Sequence, residues 1–309
     1  MLAAGAIAIA WAIDARWGEP PNAWHPVAWF GRLARPLGRL AAGLPPRRAF
    51  CAGALAWCVL LALVVAAAML VQAGLARLPS WQALPLLALA LAPSFAWRML
   101  VDEVRAVEVA LGSGLDAGRR RLQGLCSRDV DRLDEAGVRE TAIEALAENF
   151  NDSLVAPLFW FVIAGLPGAW AWRAVNTLDA MWGYRGPWEW AGKWAARADD
   201  ALGWLPARLA AGLLWPASAR RLRDLRRQAQ CTPSPNGGWP MAAMAMRLRV
   251  RLGKPGVYVL NPQAQPPGAG ALAQALCIGQ RGAQRVFLLA IAACLVIAAL
   301  SAQAAVRGA

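Results

Sequence analysis

"FCAGALAWCVLLALVVAAAMLVQAGL", residues 50–75, runs its whole length without a charged side chain. A helix needs roughly 20 predominantly apolar residues to cross the hydrocarbon of a bilayer, and this stretch exceeds that. In lipid a backbone must satisfy its own hydrogen bonds, so a span of this composition is a helix. The rest of the chain agrees: 58% of its 309 residues are apolar, 17% are charged, and it carries 17 tryptophans, a profile far from that of a soluble domain.

Further apolar stretches lie at 83–101, 153–175 and 286–306, with a shorter one at 2–13. The segment 200–218 holds Arg208 and two prolines, so it spans the bilayer, lies in its interface or is buried in a bundle. No basic residue precedes the stretch at 2–13, which runs into Asp14 and Arg16; this argues against a cleaved signal peptide. The sequence therefore predicts an all-α protein, a polytopic integral membrane helical bundle forming one membrane-embedded domain over 1–309. Three polar stretches, 14–48, 102–152 and 220–285, are expected on the cytoplasmic side as helices and loops.

The formal net charge of +13 fits topology better than nucleic acid. Nine basic residues face one acidic residue, Asp224, between Arg220 and Lys254, and Arg32, Arg35, Arg39, Arg47 and Arg48 precede the 50–75 stretch. Both clusters read as cytoplasmic by the positive-inside rule, and no aromatic-and-basic recognition motif accompanies them. The six cysteines form no CxxC pair and read as reduced thiols acting as small hydrophobes.

The chemistry is expected in the polar stretches. Helix is predicted over 102–149, broken at "GSGLDAGRR" and resuming near Asp129, while "TPSPNGGWP" and "NPQAQPPGAG" predict loops and turns in 220–285. Glu140, Glu144, Glu148 and Asp152 recur every four residues and form one stripe on a helix, beside Asn149 and Asn151. Like charges at that spacing repel unless neutralised, and Mg²⁺ shared with a substrate phosphate is one neutraliser. For Glu140 the plainer reading, a solvated face paired with Arg139 and its neighbours, is preferred. Glu148, Asn149 and Asp152 adjoin the apolar run, where polar groups are costly without a job.

After "GLPG", Arg173, Asn176 and Asp179 recur every three residues, followed by the pair Asp199 and Asp200; each alone reads as a cap or surface group. The single histidine, His25, precedes a proline and by itself reads as a structural hydrogen-bonding group. There is no GxxxxGK[ST] phosphate loop, no GxGxxG after a strand, no GxSxG elbow and no HExxH.

Six strings, "DARWGEPPNAWHPV" from 14, "SRDVDRLDE" from 127, "EALAENFNDSLVAP" from 144, "NTLDAMWGYR" from 176, "WAARADDALGWLPARL" from 194 and "SPNGGWPMAAMA" from 234, occur in order across nearly the whole chain. Together they resemble the adenosylcobinamide-phosphate synthase family of cobalamin biosynthesis. The resemblance implies an inner-membrane ligase. It would join the free carboxylate of adenosylcobyric acid to the amine of (R)-1-aminopropan-2-ol phosphate, using ATP and Mg²⁺. Membrane lipid is then an expected partner, nucleic acid is not, and a homo-oligomer or contact with other cobalamin-pathway enzymes is compatible with it.

On the matched positions, the resemblance implies catalytic roles for Glu148, Asp152, His25 and Asp179. It implies contacts to nucleotide or substrate from Asn149, Arg128, Asn176, Arg208, Ser234 and Asn236, and metal contacts from Glu144, Glu148, Asp152, Asp199 and Asp200. Two positions depart from the common pattern "AENTxDG", Phe150 for a hydroxyl residue and Ser153 for glycine, which removes those two from consideration. If 153–175 crossed the membrane unbroken, the "NTLD" string would lie on the far side from ATP. A break at 165–168 is therefore expected, because "GLPG" is poor helix interior. Two rival readings are a non-enzymatic membrane sensor of the β-lactamase-induction type and a corrinoid transporter. Retention of the acidic and amide residues together favours the enzyme, and the lack of repeated halves weighs against the transporter.

Overall fold

The computed structural model describes residues 1–126, 128–215 and 219–308. Ser127 of the "SRDVDRLDE" string and the end of the 200–218 segment, at 216–218, lie outside them. The described chain is predominantly α-helical, and four of its helical stretches, Pro46–Leu75, Ser80–Gly112, Glu135–Trp182 and Ala271–Ala305, are long and apolar enough to cross a membrane. The 200–218 and 2–13 segments are not among these. The residues form two compact units, one of Met1–Ala96, Ala156–Leu202 and Phe287–Ala309, the other of Trp97–Val155 and Gly203–Val286.

The first unit contains α1 (Leu2–Trp17), α2 (Pro26–Ala42), α3 (Pro46–Leu75), α4 (Ser80–Leu91) and α8 (Ala156–Trp182), with the ends of α9 (Lys193–Leu214) and α12 (Ala271–Gly308) that fall in its ranges. The expected span at 50–75 is the greater part of α3. Most of α3 is uncovered by protein: Leu55, Leu63, Met69 and Leu70 are all exposed, as lipid-facing residues are. Its buried side packs where small residues let backbones approach. A Cβ on Gly53 would lie 2.1 Å from the Ala191 carbonyl oxygen, and one on Gly38 of α2 would lie 2.2 Å from the Trp182 indole nitrogen. Ala34, Leu60, Leu178, Trp182 and Ala195 close this core, and Trp11 stacks on Phe287 at 4.6 Å.

The break expected at 165–168 is present and begins one residue earlier. Within α8, Ala164 (φ −130°, ψ 15°) and Gly165 (φ 64°, ψ −151°) leave helical geometry. The Leu166 N–H freed by the break donates to Gln72 Oε1 of α3 at 2.9 Å, so a side chain from the neighbouring helix replaces the lost backbone partner. The span expected at 83–101 is also interrupted: α4 gives way to a 3₁₀ turn at Ala92–Ser94, where Pro93 sits, and extended Phe95 precedes α5 (Trp97–Gly112).

The second unit holds α5, α6 (Leu115–Leu122), α7 (Glu135–Phe150), α10 (Ala219–Ala229), α11 (Gly238–Leu248) and a hairpin of β1 (Leu252–Lys254) and β2 (Tyr258–Leu260) in register Gly253 to Val259. One expectation needs correction. Helix was expected to resume near Asp129, but α7 starts at Glu135. The Asp131 N–H donates to Asp129 Oδ1 at 3.0 Å, holding 129–131 in a turn, and Asp134 caps the helix by accepting from the Gly137 N–H at 2.8 Å. In the 220–285 stretch the two Pro/Gly-rich strings form loops and turns over most of their length, as expected, between α10, α11, the hairpin and the start of α12. "GGWP" opens α11 because a proline in the first turn removes an N–H that has no helical partner anyway.

Substituting Gly165→Val is expected to lower stability by about 1–3 kcal/mol, since Gly165 occupies a backbone region closed to β-branched residues and its Cβ would lie 2.4 Å from Gln72 Oε1. Unfolding in detergent micelles measures this, and an unchanged midpoint would mean that the break is not fixed as described.

Candidate functional site

The stripe on α7 is not a solvated face. Glu140 and Glu144 are 6% and 2% exposed, and each has its own arginine. Arg128 Nη2 donates to Glu144 Oε2 at 2.7 Å while its Nη1 reaches Thr141 Oγ1 at 3.0 Å and the Gly253 carbonyl at 3.4 Å. Arg251 Nη2 lies 3.1 Å from Glu140 Oε1. The plainer reading of Glu140 is thus corrected in its detail: the carboxylate is buried and its partner is Arg251. Arg139 turns instead to Glu108 and Glu135, both at 3.2 Å. Burial acting alone lowers the Arg128 pKa, but the charge and hydrogen bond of Glu144 outweigh it and leave the guanidinium raised. Burial, then the Glu144 charge, push the Tyr258 hydroxyl up as well, which keeps it a proton donor.

Around this pair is a cavity of about 330 Å³, whose polar lining includes Arg128, Glu144, Glu148, Asn149, Ser234 and Tyr258. Five of these six were candidates from the sequence. Glu148 and Asn149 reach it from the last turn of α7, where Asn149 Nδ2 anchors on the Ala145 carbonyl at 3.0 Å. Across from them the 232–237 turn is held by Ser234 Oγ, which accepts the N–H groups of Asn236 and Gly237 at 3.2 and 3.0 Å. Gly237 lies against Glu148: a Cβ there would be 2.8 Å from Glu148 Oε1, so a side chain would push the carboxylate away. The absence of one lets the carboxylate close on the turn.

Asp152 does not line this cavity, although it belongs to the stripe by spacing. Asn151–Val155 is a π-turn, whose wider winding takes the next residues off the face that four-residue spacing defines. Asp152 Oδ1 accepts from Asn151 Nδ2 at 2.8 Å.

On the other wall of the 232–235 turn lies a larger cavity of about 950 Å³. Arg208 sits in its wall between two indoles, 4.4 Å from the Trp204 ring and 4.8 Å from the Trp239 ring, with Nη1 on Asn236 Oδ1 at 2.9 Å and the Trp204 carbonyl at 2.7 Å. Burial lowers its pKa, yet a guanidinium stays charged at neutral pH.

The remaining candidates fall in the first unit. Asn176 Nδ2 donates to Asp199 Oδ1 at 3.2 Å, joining the end of α8 to α9, and Asp179 and Asp200 are close enough to repel. Burial raises the Asp200 carboxyl against the pull of Arg197. His25 caps α2, its Nδ1 accepting from the Val27 N–H at 3.1 Å with Nε2 3.3 Å from Glu19 Oε1; the cap fits its reading as a structural group. The five residues expected at a metal are divided between the units, and among the described residues no three His, Cys, Asp or Glu side chains form a preformed metal cage. Mg²⁺ that arrives with phosphates needs only one or two carboxylates, and the first cavity offers Glu148 together with Glu144. Glu144 Oε1 is buried without a hydrogen bond of good geometry, the Tyr258 hydroxyl lying against the same carboxylate.

Tyr258 and Lys254, which also lines the first cavity, were missed in the sequence. The signal was there: "KPGVYVL" pairs a Pro-Gly turn with β-branched and aromatic residues, the pattern of a hairpin.

Fold and site thus define a polytopic helical membrane protein whose second unit holds a charge-lined cavity. The chain belongs to the CobD/Cbib protein family, whose model matches residues 7–276. It is 39% identical over 313 residues to the cobalamin biosynthesis protein CobD of Chromobacterium violaceum, covering 95% of this chain and 97% of that one. A probable CobD of Thermococcus kodakarensis is 42% identical over 82% of both chains, and the CobD of Rhodobacter capsulatus 36% identical over 90% and 93%. No solved structure matches the chain significantly.

Replacing Arg128 by Met leaves Glu144 buried and unpaired, which is expected to cost about 3–5 kcal/mol. The double change Arg128→Met with Glu144→Leu should recover most of that loss, as measured by unfolding in detergent. A double variant as unstable as the sum of the single ones would mean that the pair is not coupled.

Proposed function

We propose that this protein is the adenosylcobinamide-phosphate synthase of its organism, an ATP-dependent ligase of the cytoplasmic membrane. It forms the amide between the free carboxylate of adenosylcobyric acid and the amine of (R)-1-aminopropan-2-ol phosphate. Membership of a cobalamin-biosynthesis family supports a corrinoid substrate. The observation that carries the ligase reading is the convergence of Arg128, Glu144, Glu148, Asn149 and Ser234 on one cavity.

A carboxylate is a poor acyl donor. ATP transfers a phosphoryl group to it, releasing ADP; the amine then displaces phosphate as the amide bond forms. Mg²⁺, held by Glu148 and the phosphates, would neutralise charge on the phosphoryl oxygens. Arg128, fixed by Glu144 and Thr141, presents a cation that needs no reorganisation when charge develops. Lys254 adds a second positive charge at the same wall. Asn149 and the Ser234 hydroxyl supply neutral polar contacts. The basic residues of 220–254 support a cytoplasmic orientation of this site, where ATP is available.

The test is product formation by detergent-purified protein from adenosylcobyric acid, aminopropanol phosphate and ATP, followed by mass spectrometry. Wild type should give the amide only with Mg²⁺ present, Glu148→Gln should lose about 100-fold in rate, and Asp152→Asn should lose less, being off the cavity. Absence of product from wild type in a preparation that binds corrinoid would favour the transporter or sensor reading.

A further inference from the structure

The reaction needs two binding regions of different character, one for compact, highly charged phosphates and one for a large ring system, and the second unit has two cavities of matching character. Resting on the reading above, we infer that the larger cavity, walled by Trp204, Arg208, Trp215 and Trp239, is the corrinoid site and that the smaller one takes the phosphates. On this assignment Arg208 receives the reacting carboxylate of the corrinoid.

Size is the first argument. At about 950 Å³ the cavity stands at the upper end of small-molecule sites, about 300–1,000 Å³, while the other holds about 330 Å³. Chemistry is the second. A corrinoid is a broad, largely apolar ring edged by amide groups, and indole faces with a few fixed polar groups bind such a ring through area and stacking. Carboxylates line the small cavity and not the large one, whose wall includes Trp204, Trp215 and Trp239 with Leu222 and Leu225. Glu144 and Glu148 in the small one would repel an acid but suit a metal-bound phosphate.

The state of Arg208 is the third argument. Its guanidinium is clamped between two rings and held by two hydrogen bonds through Nη1, and among the described residues no carboxylate pairs with it. A held cation without a counter-ion is prepared for an anionic or carbonyl-bearing ligand, with the guanidinium's other N–H groups still to place. Finally, the two cavities share a wall: Thr232, Pro233 and Ser234 line both. A corrinoid anchored near Arg208 then lies next to the phosphate cavity across a single turn, and its carboxylate reaches the phosphoryl group by passing that turn, since reacting atoms must meet at about 3–3.5 Å.

The test is equilibrium dialysis of cobyric acid, detected by its cobalt, and separately of a fluorescent ATP analogue with Mg²⁺ and of radiolabelled aminopropanol phosphate, against the full-length protein in detergent. Trp239→Leu and Arg208→Gln should each weaken cobyric acid binding about tenfold and leave nucleotide binding at the wild-type level, which also shows that the variants fold. Glu148→Gln should do the reverse. Wild-type binding of cobyric acid that neither variant weakens would overturn this assignment while leaving the ligase reading intact, as would variants that lose aminopropanol phosphate and keep the corrinoid. A wild-type protein that binds no cobyric acid would overturn the ligase reading itself.

Discussion

The polar groups of the smaller cavity in the second unit are arranged around one buried ion pair. Arg128 and Glu144 meet at 2.7 Å with their side chains only 15% and 2% exposed, and neither charge is tolerable there without the other. The pair fixes where the loop before α7 lies, since Arg128 also binds Thr141 and the Gly253 carbonyl of the hairpin. Helix, loop and hairpin are therefore tied through one guanidinium. The cavity beside it inherits that rigidity, and Glu148 and Asn149, one turn further along α7, are placed by the same tether.

The same logic explains why so apolar a chain carries carboxylates on a helix leading into a membrane-spanning stretch. The two buried ones are answered by arginines from outside the helix: Glu140 by Arg251, Glu144 by Arg128. The basic residues that the sequence concentrates in 220–254 thus have two uses. Most of those described are exposed, as the positive-inside reading expects, but Arg251 reaches back to neutralise a buried acid and Lys254 lines a cavity. Charge counting alone cannot separate these uses, because they differ only in which element the hairpin brings against α7.

The fold was legible because its signals are local. An uncharged apolar run, a "GLPG" break and helix-breaking glycines act within a few residues, and α3, the interruption of α8 and the gap between α5 and α6 result from them. Much of the site was legible through four-residue spacing and the resemblance of its strings. Spacing failed where its assumption failed: the π-turn at Asn151–Val155 removes Asp152 from the face its number assigns. It also says nothing of long-range partners such as Arg251 for Glu140, more than a hundred residues apart. The late start of α7 came from side-chain turns by Asp129 and Asp134, whose signal is real but competes with the strong helix propensity of residues 135–150.

The central claim is that the cavity under the Arg128–Glu144 pair is where phosphate is handled. Photo-crosslinking of the purified protein with an azido-ATP analogue and Mg²⁺, with peptides mapped by mass spectrometry, addresses it most directly. The account predicts label on peptides carrying Glu148–Asn149 or the 232–237 turn, suppressed by excess ATP and lost in Glu148→Gln. Competable label confined to the first unit, around Asn176, Asp179, Asp199 and Asp200, would contradict it.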